Sequence, residues 1–241
     1  MKKTIVTLLS VSLVACGGGG GSDESAPVIV VEPVDVMPIG LWQGNVTADG
    51  VTVDVVGMVA PSGEARFLSA DGEQDRFKLN IDGGSYTADG VAYDIDGFFL
   101  GNITVSGEYT STEISGTAKV DSVITSTFSL TIADESKNGA SLSTVSGNYV
   151  NFDQSASIAI DADGVLSGSD DEGCVYTGSV SVPESSVNVY SLSMDVSSCA
   201  QFSGSYTGLA TYTQLFDEPI QKGFVFQIDN DNYLVTDILF K

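Results

Sequence analysis

Beyond residue 40, apolar side chains recur at every second position, and no stretch carries the three-to-four spacing of an amphipathic helix. Phe128-x-Leu130-x-Ile132, Val180-x-Val182 and Phe224-x-Phe226-x-Ile228 each place their apolar side chains on one face of an extended chain. Leu234, Ile238 and Phe240 repeat the pattern at the C-terminus. Turn dipeptides punctuate these runs: Asp49-Gly50, Asp71-Gly72, Asp82-Gly83, Asp89-Gly90, Asp96-Gly97 and Asp163-Gly164. Asp tolerates positive φ and Gly adopts it readily, so these pairs suit tight hairpins. Strands of roughly six to ten residues between frequent turns predict an antiparallel meander.

Two stretches change parity. Val51, Val53 and Val55 occupy odd positions, whereas Val56, Met58 and Ala60 occupy even ones. Val187 and Val189 give way in the same manner to Tyr190, Leu192, Met194 and Val196. One extra residue flips every later side chain to the opposite face unless a bulge absorbs it. The expectation is therefore long, bulged, curved strands, which suit a closed barrel better than a flat sandwich.

The body also reads as a degenerate duplication. Gly40-Leu41-Trp42 opens one half and Gly147-Asn148-Tyr149 the other. Late in each half comes a shared phrase, Ser106-Gly107-Glu108-Tyr109-Thr110 and then Ser203-Gly204-Ser205-Tyr206-Thr207. Between them, residues 134–146 are polar and break the alternation, with one helical turn expected at 141–145. The predicted fold is all-β: two tandem small antiparallel meander barrels of about eight strands, over residues 40–133 and 147–241. Barrels of that size either fill with side chains or hold one small ligand. A single larger sandwich or barrel built from both halves is the alternative.

The N-terminus reads as a processing signal. Lys2 and Lys3 precede an uncharged, mostly apolar run over residues 4–14, too short to span a bilayer of ~30 Å as a helix. Leu13-Val14-Ala15-Cys16 looks like a lipobox, so residues 1–15 are expected to be cleaved and Cys16 to become a lipidated N-terminus. Anchoring by more than one acyl chain is stable without a transmembrane helix. In Gram-negative lipoproteins an Asp directly after that cysteine resembles an inner-membrane retention signal. Gly17 stands there instead, which favours the outer membrane, on its periplasmic or its external face. Residues 16–39, rich in Gly and punctuated by Pro27, Pro33 and Pro38, form a tether of roughly 25–30 Å root-mean-square reach.

Composition narrows the partners. The chain has 9 Lys and Arg against 32 Asp and Glu, a net charge of −23 that becomes −25 once Lys2 and Lys3 leave with the signal. No basic stripe for phosphates is present, so nucleic acid is excluded as an expected partner, and direct docking on anionic lipid is disfavoured. Cation-rich surroundings, a basic partner patch or a neutral ligand remain compatible. With Cys16 committed to lipid, Cys174 and Cys199 form an even pair in a disulfide-permissive compartment and are expected to bond.

Gly40-Leu41-Trp42 followed by a meander resembles the opening of lipocalin- and avidin-like (calycin-type) barrels. The second half is similar to a pattern in uncharacterised proteobacterial envelope lipoproteins: Gly173-Cys174-x-Tyr176-x-Gly178, Asn188-Val189-Tyr190, and Cys199 followed by Gly204-Ser205-Tyr206-Thr207-Gly208-Leu209. That resemblance implies the Cys174–Cys199 disulfide and a β fold. No activity travels with it.

Candidate chemistry is sparse. The chain has no histidine, which removes the usual general base of Ser and Cys triads and the commonest zinc ligand. No nucleophile elbow, P-loop or dinucleotide fingerprint occurs. The expectation is a protein without catalysis or cofactor. Asp161 and Asp163 are candidate ligands for a hard cation such as calcium, set against Asx-turn chemistry as the plainer reading. Trp42, Tyr93, Phe98, Phe99 and Phe216 are candidate ligand contacts. Phe98-Phe99-Leu100 cannot all face one core, so either one of them is exposed or the strand is buried on both sides between modules.

These features point to a lipid-anchored binding or interaction module for a protein, a glycan or a small apolar molecule. Its alternatives are a structural, envelope-assembly lipoprotein with solid barrels and a calcium-dependent adhesin-like protein. Metabolic labelling tests the address: radiolabelled palmitate is expected to enter the protein and to be absent from Cys16→Ser.

Overall fold

The computed structural model describes residues 36–122, 124–217 and 220–241, and within them the side chains of all but 124, 125, 215–217, 220 and 221. The signal segment, Cys16 and most of the tether lie outside the described residues. Eight strands follow one another in space as in sequence: β1 (Gly40–Ala48), β2 (Val51–Val59), β3 (Glu64–Ser69), β4 (Gln74–Asp82), β5 (Ser85–Tyr93), β6 (Phe99–Tyr109), β7 (Glu113–Val120) and β8 (Ile124–Ile132). All neighbours are antiparallel, and β8 returns to pair with β1 from Trp42↔Ile132 to Ala48↔Ser126.

The scheme repeats in β9 (Gly147–Asn151), β10 (Ala156–Ile160), β11 (Val165–Asp170), β12 (Val175–Ser181), β13 (Tyr190–Ser197), β14 (Gly204–Asp217), β15 (Ile220–Asp229) and β16 (Leu234–Phe240). Here β16 closes on β9 through only Leu239↔Asn151 and Phe240↔Val150. Two tandem closed eight-stranded barrels are thus the architecture, and the single larger sheet is excluded. Between them lie a 3-10 turn (Asp134–Asn138) and one helical turn, α1 (Leu142–Val145), whose N-cap Ser141 accepts from the Thr144 amide.

The duplication extends to side-chain roles. Gly40 and Gly147 each begin the first strand of a barrel. Two residues on, Trp42 and Tyr149 are each 1% exposed. Each donates back four residues, Trp42 Nε1 to the Pro38 carbonyl (3.0 Å) and Tyr149 Oη to that of Val145 (2.6 Å). Tyr109 and Tyr206, from the shared phrase, sit on the sixth strand of their respective barrels.

Two sequence expectations are corrected. No bulge interrupts β2 or β13, whose registers with their neighbours run without shift. In β2 the odd positions face inward throughout, while even-numbered Met58 points outward and packs with Leu41, Ala60, Ala133, Val189 and Leu209 in a cluster shared by both barrels. The second apolar parity is therefore an inter-barrel contact. Bulges occur instead at Ala92/Tyr93 and Gln214/Phe216. Asp89-Gly90 is not a turn but lies inside β5, opposite Lys78 and Phe77. A Cβ at 90 would stand 2.5 Å from that of Phe77, so glycine serves close strand approach there.

Residues 33–241 form one compact unit. Beside the apolar cluster, the seam between the barrels is a network of charges. Arg66, 2% exposed, points out of β3 and lies 2.5 Å from Asp229 Oδ1 on β15, as an ion pair by distance outside hydrogen-bond geometry. Its Nη2 donates to Glu64 (2.7 Å) and to the Thr207 carbonyl (3.1 Å). Arg76 donates to Asp229 Oδ2 (2.5 Å) and Asp231 (2.7 Å). Gln227 donates to the Phe67 carbonyl (3.3 Å), and Thr236 donates to Gln74. The Leu234 amide completes the seam by donating to the Gly97 carbonyl (3.0 Å).

The expected disulfide is formed: Cys174 and Cys199, with Cα atoms 4.6 Å apart, join the open ends of the β12–β13 hairpin. Closing such a loop stabilises by about 3 kcal/mol in the chain-entropy account.

Asp229 compensates two guanidinium groups, one of them fully buried. Removing one partner of a buried pair costs about 3–5 kcal/mol because the other charge is left uncompensated. Asp229→Ala is expected to lose that much in urea unfolding, whereas the pair replacement Arg66→Met with Asp229→Leu loses far less.

Candidate functional site

Strand alternation dictates what each barrel holds, and the two interiors differ in side-chain volume. The second is filled by Tyr149, Tyr190, Tyr206, Phe224 and Phe226 together with Leu166, Leu192 and Met194. Its rings pack against one another, with centroids 5.8 Å apart for Tyr149–Phe224 and 6.3 Å for Tyr190–Phe224. The first is walled by shorter, β-branched groups, among them Val53, Val55, Val105 and Ile103, and encloses a cavity of about 430 Å³. That volume lies within the ~300–1,000 Å³ range of small-molecule sites.

The wall also carries rings laid flat. Phe67 on β3 stacks on Phe77 of β4 with centroids 5.4 Å apart and planes within 9°. Gly57 makes this placement feasible, because a Cβ there would lie 2.1 Å from the Phe67 ring. The cavity opens at the end bearing the β1–β2, β3–β4 and β7–β8 turns, where Asp49, Asp71 and Val120 line it. At the opposite end Trp42 joins Val59, Leu79, Tyr86, Ile114 and Leu130 in a packed floor, with Met37 against it.

The mouth is acidic. Asp49, Asp71, Glu73 and Asp75 line the cavity, and no Lys or Arg does. Asp71 accepts from the Ser69 hydroxyl (2.5 Å). Asp75, directly opposite Phe67 in the β3–β4 register, is the deepest carboxyl. The residue as a whole is half-buried because part of it faces the cavity, yet its Oδ1 has no contact with solvent and accepts no hydrogen bond. Burial first, and the neighbouring Glu73 second, push its pKa up from 3.8 to about 8. Glu73 is itself raised by burial and then by Asp71.

The residues singled out in the sequence fall elsewhere. Trp42 seals the floor and does not line the cavity. Tyr93 is wholly buried in the inter-barrel seam, where burial raises its hydroxyl pKa against the opposing pull of Arg76. Phe98, Phe99 and Leu100 are 48%, 55% and 49% exposed, so the reading of a strand buried on both sides does not hold. They leave the β5–β6 turn, where Phe98 meets Tyr233 edge to face at 5.8 Å and Tyr233 in turn meets Phe202 at 5.0 Å. The Phe216 side chain lies outside the described residues.

Asp161 and Asp163 are exposed, and Asp161 Oδ1 accepts the amides of Asp163 (2.9 Å) and Val165 (2.8 Å) in an Asx turn. Among the described residues, three metal-competent side chains converge only at Asp170, Cys174 and Cys199. There the cysteines are bonded to each other, and Asp170 is engaged by Tyr176 Oη (2.5 Å) and the Cys174 amide (2.9 Å).

The residues that make the cavity, Phe67, Asp75, Phe77 and Phe128, were missed by the sequence reading. One signal was available: Glu73-x-Asp75-x-Phe77-x-Leu79-x-Ile81 places two acids on the parity of an apolar face.

No family profile, curated protein or solved structure matches the chain.

A carboxyl with a raised folded-state pKa keeps its proton where the unfolded chain has lost it. Its contribution to stability is full below about pH 4, declines as pH rises, and is gone above about pH 8. Asp75→Asn removes this decline. The melting temperature of Asp75→Asn minus that of the wild type is expected to grow steadily from pH 5 to pH 8, and a difference independent of pH would refute the assignment.

Proposed function

We propose that this protein is a non-catalytic binding module whose first barrel takes up a small apolar molecule. The second barrel serves as a solid support, and acylated Cys16 tethers both at the outer membrane. The observation that carries this reading is the contrast between the interiors: in the first, aliphatic groups and a few rings leave about 430 Å³ open, while in the second the rings pack against one another. Apolar burial at about 25 cal/mol per Å² makes such a wall a favourable surface for a hydrophobic guest. The polar and apolar parts of the wall are segregated, which orients a guest as well as holding it.

Solid packing of both barrels would favour a structural role, and it describes the second barrel alone. The Asx-turn engagement of Asp161 leaves the calcium-dependent reading without a supporting observation.

A neutral naphthylamine dye whose emission rises in apolar surroundings tests the reading, using residues 16–241 with Cys16→Ser so that neither the apolar signal segment nor a lipid competes for the dye. Saturable binding at about one dye per chain is expected, with Ala118→Phe, a ring directed into the cavity, weakening it by about tenfold or more (≥1.4 kcal/mol). Emission that never saturates, or that Ala118→Phe leaves unchanged while far-ultraviolet dichroism shows an intact fold, would count against uptake in the first barrel.

A further inference from the structure

We propose that the guest of the first barrel is an apolar molecule bearing a protonated amine, its ammonium held at Asp75 and its hydrophobic body directed to the floor. The inference rests on the binding reading above and adds the chemical class of the ligand.

Four observations converge on it. The first is the charge of the wall, which has four carboxyls near one end and no basic group. The second is the disposition of nearby cations. Arg76, next to Asp75 in sequence, has the opposite strand parity and leaves the barrel to pair with Asp229 and Asp231 in the seam. Arg66, the neighbour of Phe67, does the same toward Asp229 and Glu64. Neither can neutralise the cavity carboxyls.

The third observation is the hydrogen-bond account. Asp71 is engaged by Ser69, whereas the Asp75 side chain borders the cavity with its other oxygen still to be partnered and its Oδ1 receives no donor from the protein. A carboxylate accepts and an ammonium offers three donors, so an amine completes this account as an alkyl chain cannot. Fourth, Phe67 faces Asp75 across the β3–β4 ladder, and Phe77 stacks on Phe67. Ring faces beside a carboxylate add attraction for a cation, since a positive group over an aromatic face gains from the ring quadrupole.

A fatty-acid-like guest would bring its carboxylate into this acidic mouth, where like charges repel strongly in low dielectric. The protein's own charge of −23 adds a field that draws cations toward the opening.

Octylamine, octanol and octanoate share one chain length and differ in head group. Each is titrated against the dye-loaded Cys16→Ser chain, with displacement as the readout. Octylamine is expected to bind about tenfold or more tightly than octanol, and octanoate more weakly than either. The octylamine advantage should rise with pH between about 6 and 8 as Asp75 ionises, whereas octanol affinity stays level. Asp75→Asn should erase the advantage and keep octanol binding, which also reports that the barrel is folded. Glu73→Gln, nearer the rim, should reduce it partially and serves if Asp75→Asn does not fold.

Equal affinity for octylamine and octanol would overturn the amine assignment while leaving apolar uptake standing, as would octanoate binding tightest. An octylamine advantage retained in both variants would overturn it too. Failure of all three compounds to displace the dye would remove the binding reading itself.

Discussion

Closure of each meander on itself is the constraint from which the rest follows. When β8 returns to β1, and β16 to β9, the inner face of every strand borders one enclosed volume that side chains must fill or leave open. With strand number fixed at eight in both, residue size decides the outcome. Valine and isoleucine make up much of the first set of inner faces and leave a cavity, while tyrosine and phenylalanine on the second pack against one another. A hollow and a solid body thus arise from one topology and one duplicated plan, without any change in strand order.

The same alternation sorts charge. Asp75 and Arg76 are adjacent, yet one faces the cavity and the other the second barrel. Opposite signs that would cancel in a loop are separated by the thickness of a sheet. The outward arginines find Asp229, Asp231 and Glu64, so the Arg66–Asp229 pair is buried and the rest of the network reaches the surface. The inward acids find no cationic partner of the protein's own, and desolvation holds the proton on Asp75 well above its usual range. Seam and mouth are two faces of β3 and β4, so a change on either side of those strands is felt on the other.

Much of the fold was legible because backbone rules act locally. Period-two alternation gave the strands, and most Asp-Gly pairs marked hairpins. The Cys174–Cys199 pair was expected from the even count left beside Cys16, and the paired opening phrases marked the two halves. What failed required knowledge of what lies outside a strand. Met58 was read as a sign of a bulge because a single barrel has one apolar face, and the second apolar face exists only because another barrel packs there. Asp89-Gly90 looked like a turn, since the demand for a glycine opposite Phe77 cannot be seen from β5 alone. The site suffered most. Trp42, expected as a ligand contact, closes the floor instead. Valine runs state which way side chains point but carry no measure of the space left between them, so the cavity became visible only once the sheet was closed.

The unequal closures have a mechanical meaning. Any tension arriving along the chain from its N-terminal side enters at Gly40, in a strand clasped by nine residue pairs to β2 and seven to β8. The last strand is gripped unevenly, for β16 is clasped by seven pairs to β15 but meets β9 through two. Long ladders loaded along their length must break many bonds together, whereas a two-rung closure yields first. The first strand of the hollow barrel is thus clasped on both sides, while the shortest of these ladders is the one that closes the solid barrel.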